Sequence, residues 1–157
     1  MFAKLGTEGR VTIYNNAGDA DVVVDVNAWF TDVSGDDLGS AYVPLTPARL
    51  LDTRVGVGGT GPRPAGSTLD VQVTGQAGLS EIMWAVVLNV TVVGPAGPGY
   101  LTLFPAGTAK PFVSDLNYTT GETRPNLVVV EVGAGGKVSL FTSTATDVVF
   151  DVAGFFF

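Results

Sequence analysis

The chain has 157 residues, 46% of them hydrophobic, so it can bury a substantial core in one domain, or in one domain plus part of another. Its 15 acidic residues against 8 basic ones give a net charge of −7, and the few basic residues are scattered, which argues against a nucleic-acid surface. There is no Cys and no His, which excludes a disulfide framework and removes the usual zinc ligand, general base and partner of a nucleophilic Ser.

The 21 Gly and the abundance of Val and Thr favour strands joined by tight turns. Residues 1–6 lack the apolar run of a signal peptide, and no apolar stretch is long enough to insert across a bilayer. Residues 9–14 (GRVTIY) and 21–30 (DVVVDVNAWF) predict two strands around an Asn- and Gly-containing turn. Residues 32–40 are acidic and Gly-containing and predict a linker. Asp32, Ser34, Asp36 and Asp37 lack the spacing and the closing Glu of a calcium loop, so a solvated acidic stretch accounts for them.

Residues 41–54 (AYVPLTPARLLDTR) are held extended by Pro44 and Pro47, which keeps the segment out of a central strand. A Gly- and Pro-rich loop follows to Gly66. Residues 67–75 predict a strand, and residues 84–93 (WAVVLNVTVV) a longer, buried one. Residues 99–105 and 112–118 predict another strand pair. Residues 126–132 and 137–142 predict a hairpin around the turn at 133–136, and residues 147–157 close the chain. No window of helical period and useful length appears.

Both ends of the chain carry one phrase. Residues 21–31 read DVVVDVNAWFT and residues 147–157 read DVVFDVAGFFF. Asp147, Val148, Val149, Asp151, Val152 and Phe156 match Asp21, Val22, Val23, Asp25, Val26 and Phe30. Upstream, residues 5–14 align with residues 132–141. The unit at the end is thus repeated at the start. Weaker echoes link residues 99–104 and 86–90 to the same pattern. The expected fold is all-β, a sandwich or barrel-like antiparallel body of about eight strands over 41–157 with internal hairpin repeats. A repeat-related β-hairpin at 1–31 precedes it.

The phrases PLTPARLLDTR, LNVTV, GYLTLFP and DVAGFF, in that order, resemble a poorly characterised repeat domain of exported and cell-surface proteins, mainly of actinobacteria and related bacteria. Its modules open on Tyr-x-Pro-Leu-Thr-Pro-x-Arg-x-Leu-Asp-Thr-Arg and close on Asp-Val-x-Gly-Tyr-Phe. The match covers about 41–157, with 2–31 matching the tail of a preceding module. The chain departs at Trp29 and Phe155, where Tyr is usual, and at Ala28, where Gly is usual. The resemblance implies an extracellular β-module and assigns no catalytic residue.

Asp25 and Asp151 are the repeat carboxylates. Glycosidases use paired carboxylates, but each of these lies mid-strand in an apolar run, which favours a structural group paired with backbone N–H or Arg. Asp52 between Arg49 and Arg54 predicts a structural ion-paired cluster, with Asp52 and Arg54 on one face of a strand. Trp29, Phe30, Phe155, Phe156 and Phe157 form aromatic ends. Alternation places Phe155 and Phe157 on one side and Phe156 on the other, with most of the terminus expected to be covered. The functional expectation is a non-catalytic extracellular or cell-surface structural or adhesive module. It would self-associate or join like modules head to tail into filaments through its terminal hairpin. The alternative is a carbohydrate- or cell-wall-binding accessory module with polysaccharide as partner. No cofactor, metal, nucleic acid or membrane insertion is expected.

Overall fold

The computed structural model describes residues 5–24, 26, 29, 39–59 and 61–157. Among them, eight strands form two four-stranded antiparallel sheets. They are β1 (Tyr42–Asp52), β2 (Ser67–Gln72), β3 (Ala85–Val93), β4 (Gly99–Pro105), β5 (Leu116–Tyr118), β6 (Thr123–Glu131), β7 (Lys137–Thr142) and β8 (Asp147–Phe156). One sheet has the order β1-β8-β3-β6 and the other β2-β7-β4-β5. The pairs β1–β8, β2–β7, β3–β6 and β4–β5 are the rungs of one long ribbon wrapped around a core. That wrapping is a jelly roll.

Alternation of side chains builds the core. On β3, Val86, Leu88, Val90 and Val92 are fully buried, and on β8 so are Val148, Phe150 and Val152. They meet Val138 and Leu140 of β7 and Leu101 and Leu103 of β4 from the facing sheet. Near its end β8 breaks register with both neighbours, between Val152 and Gly154. The extra residue reverses the alternation, so Phe155 rejoins the core at 8% exposure, opposite Val86. Gly154 is required there. A Cβ on it would come within 2.6 Å of the Tyr42 ring, and the Tyr42 hydroxyl donates to Ala153 O at 3.1 Å.

Three of the four sheet edges carry features that block further pairing; the β2 edge does not. β1 is an edge strand whose register with β8 breaks between Pro44 and Ala48. β6, the opposite edge, contains Pro125. β5, an edge of the second sheet, is three residues long. Pro lacks the donor that a ladder needs, and a short edge offers little template.

One expectation is corrected. The strands at the end of the body do not form hairpins. β6 and β7 lie in different sheets, as do β7 and β8, and the consecutive strands that pair are β4 and β5. Both β7 and β8 bury one apolar face, and two such strands face each other across the core more effectively than they share a ladder. The chain therefore arches from sheet to sheet at Gly133–Gly136, where Gly133 N donates to Lys137 O, and again at residues 143–146.

The expected hairpin at 1–31 falls partly outside the described residues. Those described among 5–29 carry no strand, only a single turn at Thr7–Gly9, and all are exposed. A lone two-stranded ribbon is marginal in water. The strands that this segment copies also do not pair with one another in the body. The predicted linker falls almost wholly outside the described residues.

Replacing Phe150 with Ala empties the centre of the core, and we expect a loss of about 3–5 kcal/mol in urea unfolding. The described residues of 5–29 are all exposed, so deleting residues 1–38 should leave the thermal midpoint unchanged by calorimetry. A lower midpoint would show that the opening segment stabilises the body.

Candidate functional site

The phrase LLDTR ends β1, and each of its residues has a different task. Leu50 and Leu51 enter the core. Asp52, 1% exposed, turns its carboxylate outward beneath two guanidinium groups. Arg54 donates from Nε to Oδ1 at 2.9 Å and from Nη2 to Oδ2 at 2.7 Å, and its backbone N adds a bond to Oδ1 at 3.2 Å. Arg49 donates from Nη1 to Asp52 Oδ2 at 2.9 Å. The same guanidinium grips Asp151 of β8, Nε to Oδ1 at 2.8 Å and Nη2 to Oδ2 at 3.2 Å. The charges thus alternate along Asp151, Arg49, Asp52 and Arg54.

Beside them, the Thr53 hydroxyl donates to Asp147 Oδ1 at 2.6 Å and accepts from Val148 N at 3.0 Å. The end of β1 is clipped to β8 by side chains as well as by backbone.

The electrostatics follow from this geometry. The Arg54 hydrogen bonds, against the opposing effect of desolvation, hold the Asp52 carboxyl down to about 2 from an ordinary 3.8. Asp151 raises the pKa of Arg49, and Asp52 raises that of Arg54. Charge-assisted, two-pronged contacts of this kind fix orientation.

The sequence placed Asp52 and Arg54 on a common strand face. Arg54 in fact lies beyond β1, in the turn, and reaches back to the carboxylate. The sequence offers an Arg as one partner for Asp151, but that it is Arg49 depends on the register of β1 against β8. Asp25 and Phe30 lie outside the described residues. Trp29, aligned with the buried Phe155, is 80% exposed.

Of the terminal aromatics, Phe155 is buried, Phe156 is half-buried against Tyr42 with ring centroids 5.3 Å apart, and Phe157 is 57% exposed. Phe155 and Phe157 are neighbours, at 6.2 Å, which agrees with the expected alternation. The covering is less complete than expected at the last residue.

A second surface lies on the outer face of the β2-β7-β4-β5 sheet. Tyr100, Lys110, Phe112, Val113, Ser114 and Asn117 line a shallow groove of about 300 Å³. Lys110 Nζ sits 4.8 Å from the centre of the Phe141 ring, 5.6 Å from Tyr100 and 5.8 Å from Phe112. Phe112 is fully exposed. Lys110 and Phe112 were not singled out from sequence, because their convergence with Tyr100 and Phe141 is tertiary. Among the described residues, no group of three His, Cys, Asp or Glu side chains converges to hold a metal ion.

Because Asp52 is held below its ordinary value in the folded chain, its contribution to stability is present above about pH 4 and is lost as pH falls through about 2. Asp52→Asn should therefore lower the thermal midpoint at pH 7. Its deficit against the parent chain should shrink as pH falls from about 4 to about 2. Thermal unfolding across pH would decide this, and a deficit constant with pH would contradict the ion-pair account.

No protein-family model matches the chain, and no curated protein matches it.

Proposed function

We propose that this chain is a non-catalytic structural or adhesive module of an extracellular or cell-surface protein, and that it associates with units of its own kind through the strand pair repeated at its start. One observation carries the reading: eight strands complete the jelly roll over residues 42–156, while residues 5–31 repeat in sequence what the body uses as β7 and β8. In the body, Val148, Phe150 and Val152 of that phrase are fully buried between β1 and β3. In the opening copy, Val22, Val23, Val24 and Val26 are 57–84% exposed. A copy of two interior strands, with its apolar face open, suits pairing in another unit. The carboxylate oxygens of Asp52 and Asp151 are engaged by Arg49 and Arg54, which supports a structural use of these two groups. The resemblance to exported repeat domains supports the location.

The groove beside Lys110 favours a second reading, an accessory module for polysaccharide. Tyr100 and the exposed Phe112 offer ring faces to a sugar, and Ser114 and Asn117 offer polar groups.

Size-exclusion chromatography and negative-stain microscopy separate the two. The structural reading expects ordered particles from the whole chain and none after deletion of residues 1–38. A monomer that is retarded on polysaccharide gels, and no longer so after Phe112→Ser, would replace it with the second reading.

A further inference from the structure

The opening segment repeats the body in conformation as well as in sequence. In the body, Gly133–Gly136 turns the chain into β7: Gly133 N donates to Lys137 O at 2.8 Å and Gly136 N to Gly133 O at 3.1 Å. At the start, Gly6 N donates to Arg10 O at 2.8 Å and Gly9 N to Gly6 O at 3.2 Å. Gly135 and Gly136 have φ of 67° and 71°, and their counterparts Glu8 and Gly9 have 60° and 70°. Glu8 thus holds the left-handed conformation that suits the glycine in the body. After each turn the chain runs extended, from Lys137 at φ −121°, ψ 157° and from Arg10 at φ −91°, ψ 147°. The turn that launches β7 is therefore formed ahead of residues 10–14, which pair with no strand among the described residues. Val11 and Ile13 align with the core residues Val138 and Leu140 but are exposed.

One edge of the body is open to such a strand. β2 pairs with β7 on one side and, among the described residues, with no strand on the other. Val73 N donates to Gly136 O, which continues the β2–β7 ladder. Alternation then turns the backbone of Val71 and Leu69 toward β7 and that of Thr68, Asp70 and Gln72 outward. Among the described residues, no other backbone group bonds to these outward ones. Beside this edge a cleft of about 330 Å³ reaches from β2 to the end of β1. Leu50, Val57, Val71 and Ala77 supply its apolar wall, and Gln72 and Gln76 its polar one.

We infer that residues 10–14 of one copy of this chain add as an antiparallel fifth strand to the open edge of β2 in a second copy. This rests on the reading that the strand pair repeated at the start is the associating element. The occupant follows from the body, where β2 is the edge strand that β7 pairs with and residues 10–14 are the copy of β7. In the register that β7 uses, Thr12 falls opposite Asp70 as Ser139 does, and Ser139 Oγ donates to Asp70 Oδ1 at 2.6 Å. Val11 and Ile13 fall opposite Val71 and Leu69, on the side of the cleft. The described backbone bonds of residues 5–24 stay within that segment, so it does not occupy its own β2. Donor and acceptor lie at different places on one chain, so the contact adds units one after another.

The chain has no Cys, so single cysteines report the contact. Thr12→Cys chains are mixed with Asp70→Cys chains and oxidised. The mixed disulfide dimer should dominate over either symmetric one, since residues opposite each other in a ladder lie about 5.5 Å apart at Cα, within the span of a disulfide. Thr12→Cys mixed with Leu127→Cys, on the β6 edge, should give none. Thr68→Pro removes an outward N–H of β2, and Thr12→Pro removes one from the exposed opening strand. Each should abolish association of the whole chain in sedimentation, with the thermal midpoint unchanged. Equal mixed yields with Asp70→Cys and Leu127→Cys overturn the inference. So does association that survives Thr68→Pro or Thr12→Pro, or a double Thr12→Cys, Asp70→Cys chain that closes within one monomer. Surviving association that still requires residues 1–38 leaves the proposed function standing with another receiving edge. Association that does not require them, or a chain monomeric at every concentration, removes both.

Discussion

The structure depends on the position of β8. The last strand of the chain lies between the first strand and the third, hydrogen-bonded to both. Its inward residues Val148, Phe150 and Val152 are fully buried. With β8 in place the ribbon closes upon itself. Without it, β1 would have no partner in its sheet. The contact is long-range, joining the two ends of the body. The loop-closure entropy it costs is offset by apolar burial along the whole strand.

The ionic chain at the end of β1 belongs to the same closure. Arg49 bridges Asp151 on β8 to Asp52 on β1, and Thr53 bridges to Asp147 and Val148. These groups could not hold two strands together alone, since half-exposed ion pairs are weak. What they add is register. β1 slips twice against β8, between Pro44 and Ala48 and between Arg49 and Leu51, and a strand with such breaks needs side-chain markers to settle its pairing. The two-pronged grip of Arg49 on Asp151 is one such marker.

The closure also brings the two ends of the body together. Ala41 and Phe157 exchange backbone hydrogen bonds in both directions, so the chain enters the jelly roll beside the point where β8 ends. Three of the four sheet edges are blunted, β1 and β6 by Pro and β5 by its length.

The sequence alone determined the all-β class, the positions of most strands, the edge character of the Pro-bearing opening segment, the grouping of Arg49, Asp52 and Arg54, and the repeat of the last two strands at the start. Each of these is local, or is a comparison of one segment with another. Period-two alternation says which side chains face inward, and Pro says where a ladder must stop. Only the tertiary structure decided that β7 and β8 belong to different sheets, that Arg49 meets Asp151, and that Lys110, Tyr100, Phe112 and Phe141 converge. Alternation assigns a strand a face and not a neighbour. The choice of neighbour is made by burying two apolar faces against each other across the core, and residues far apart in the chain make it together.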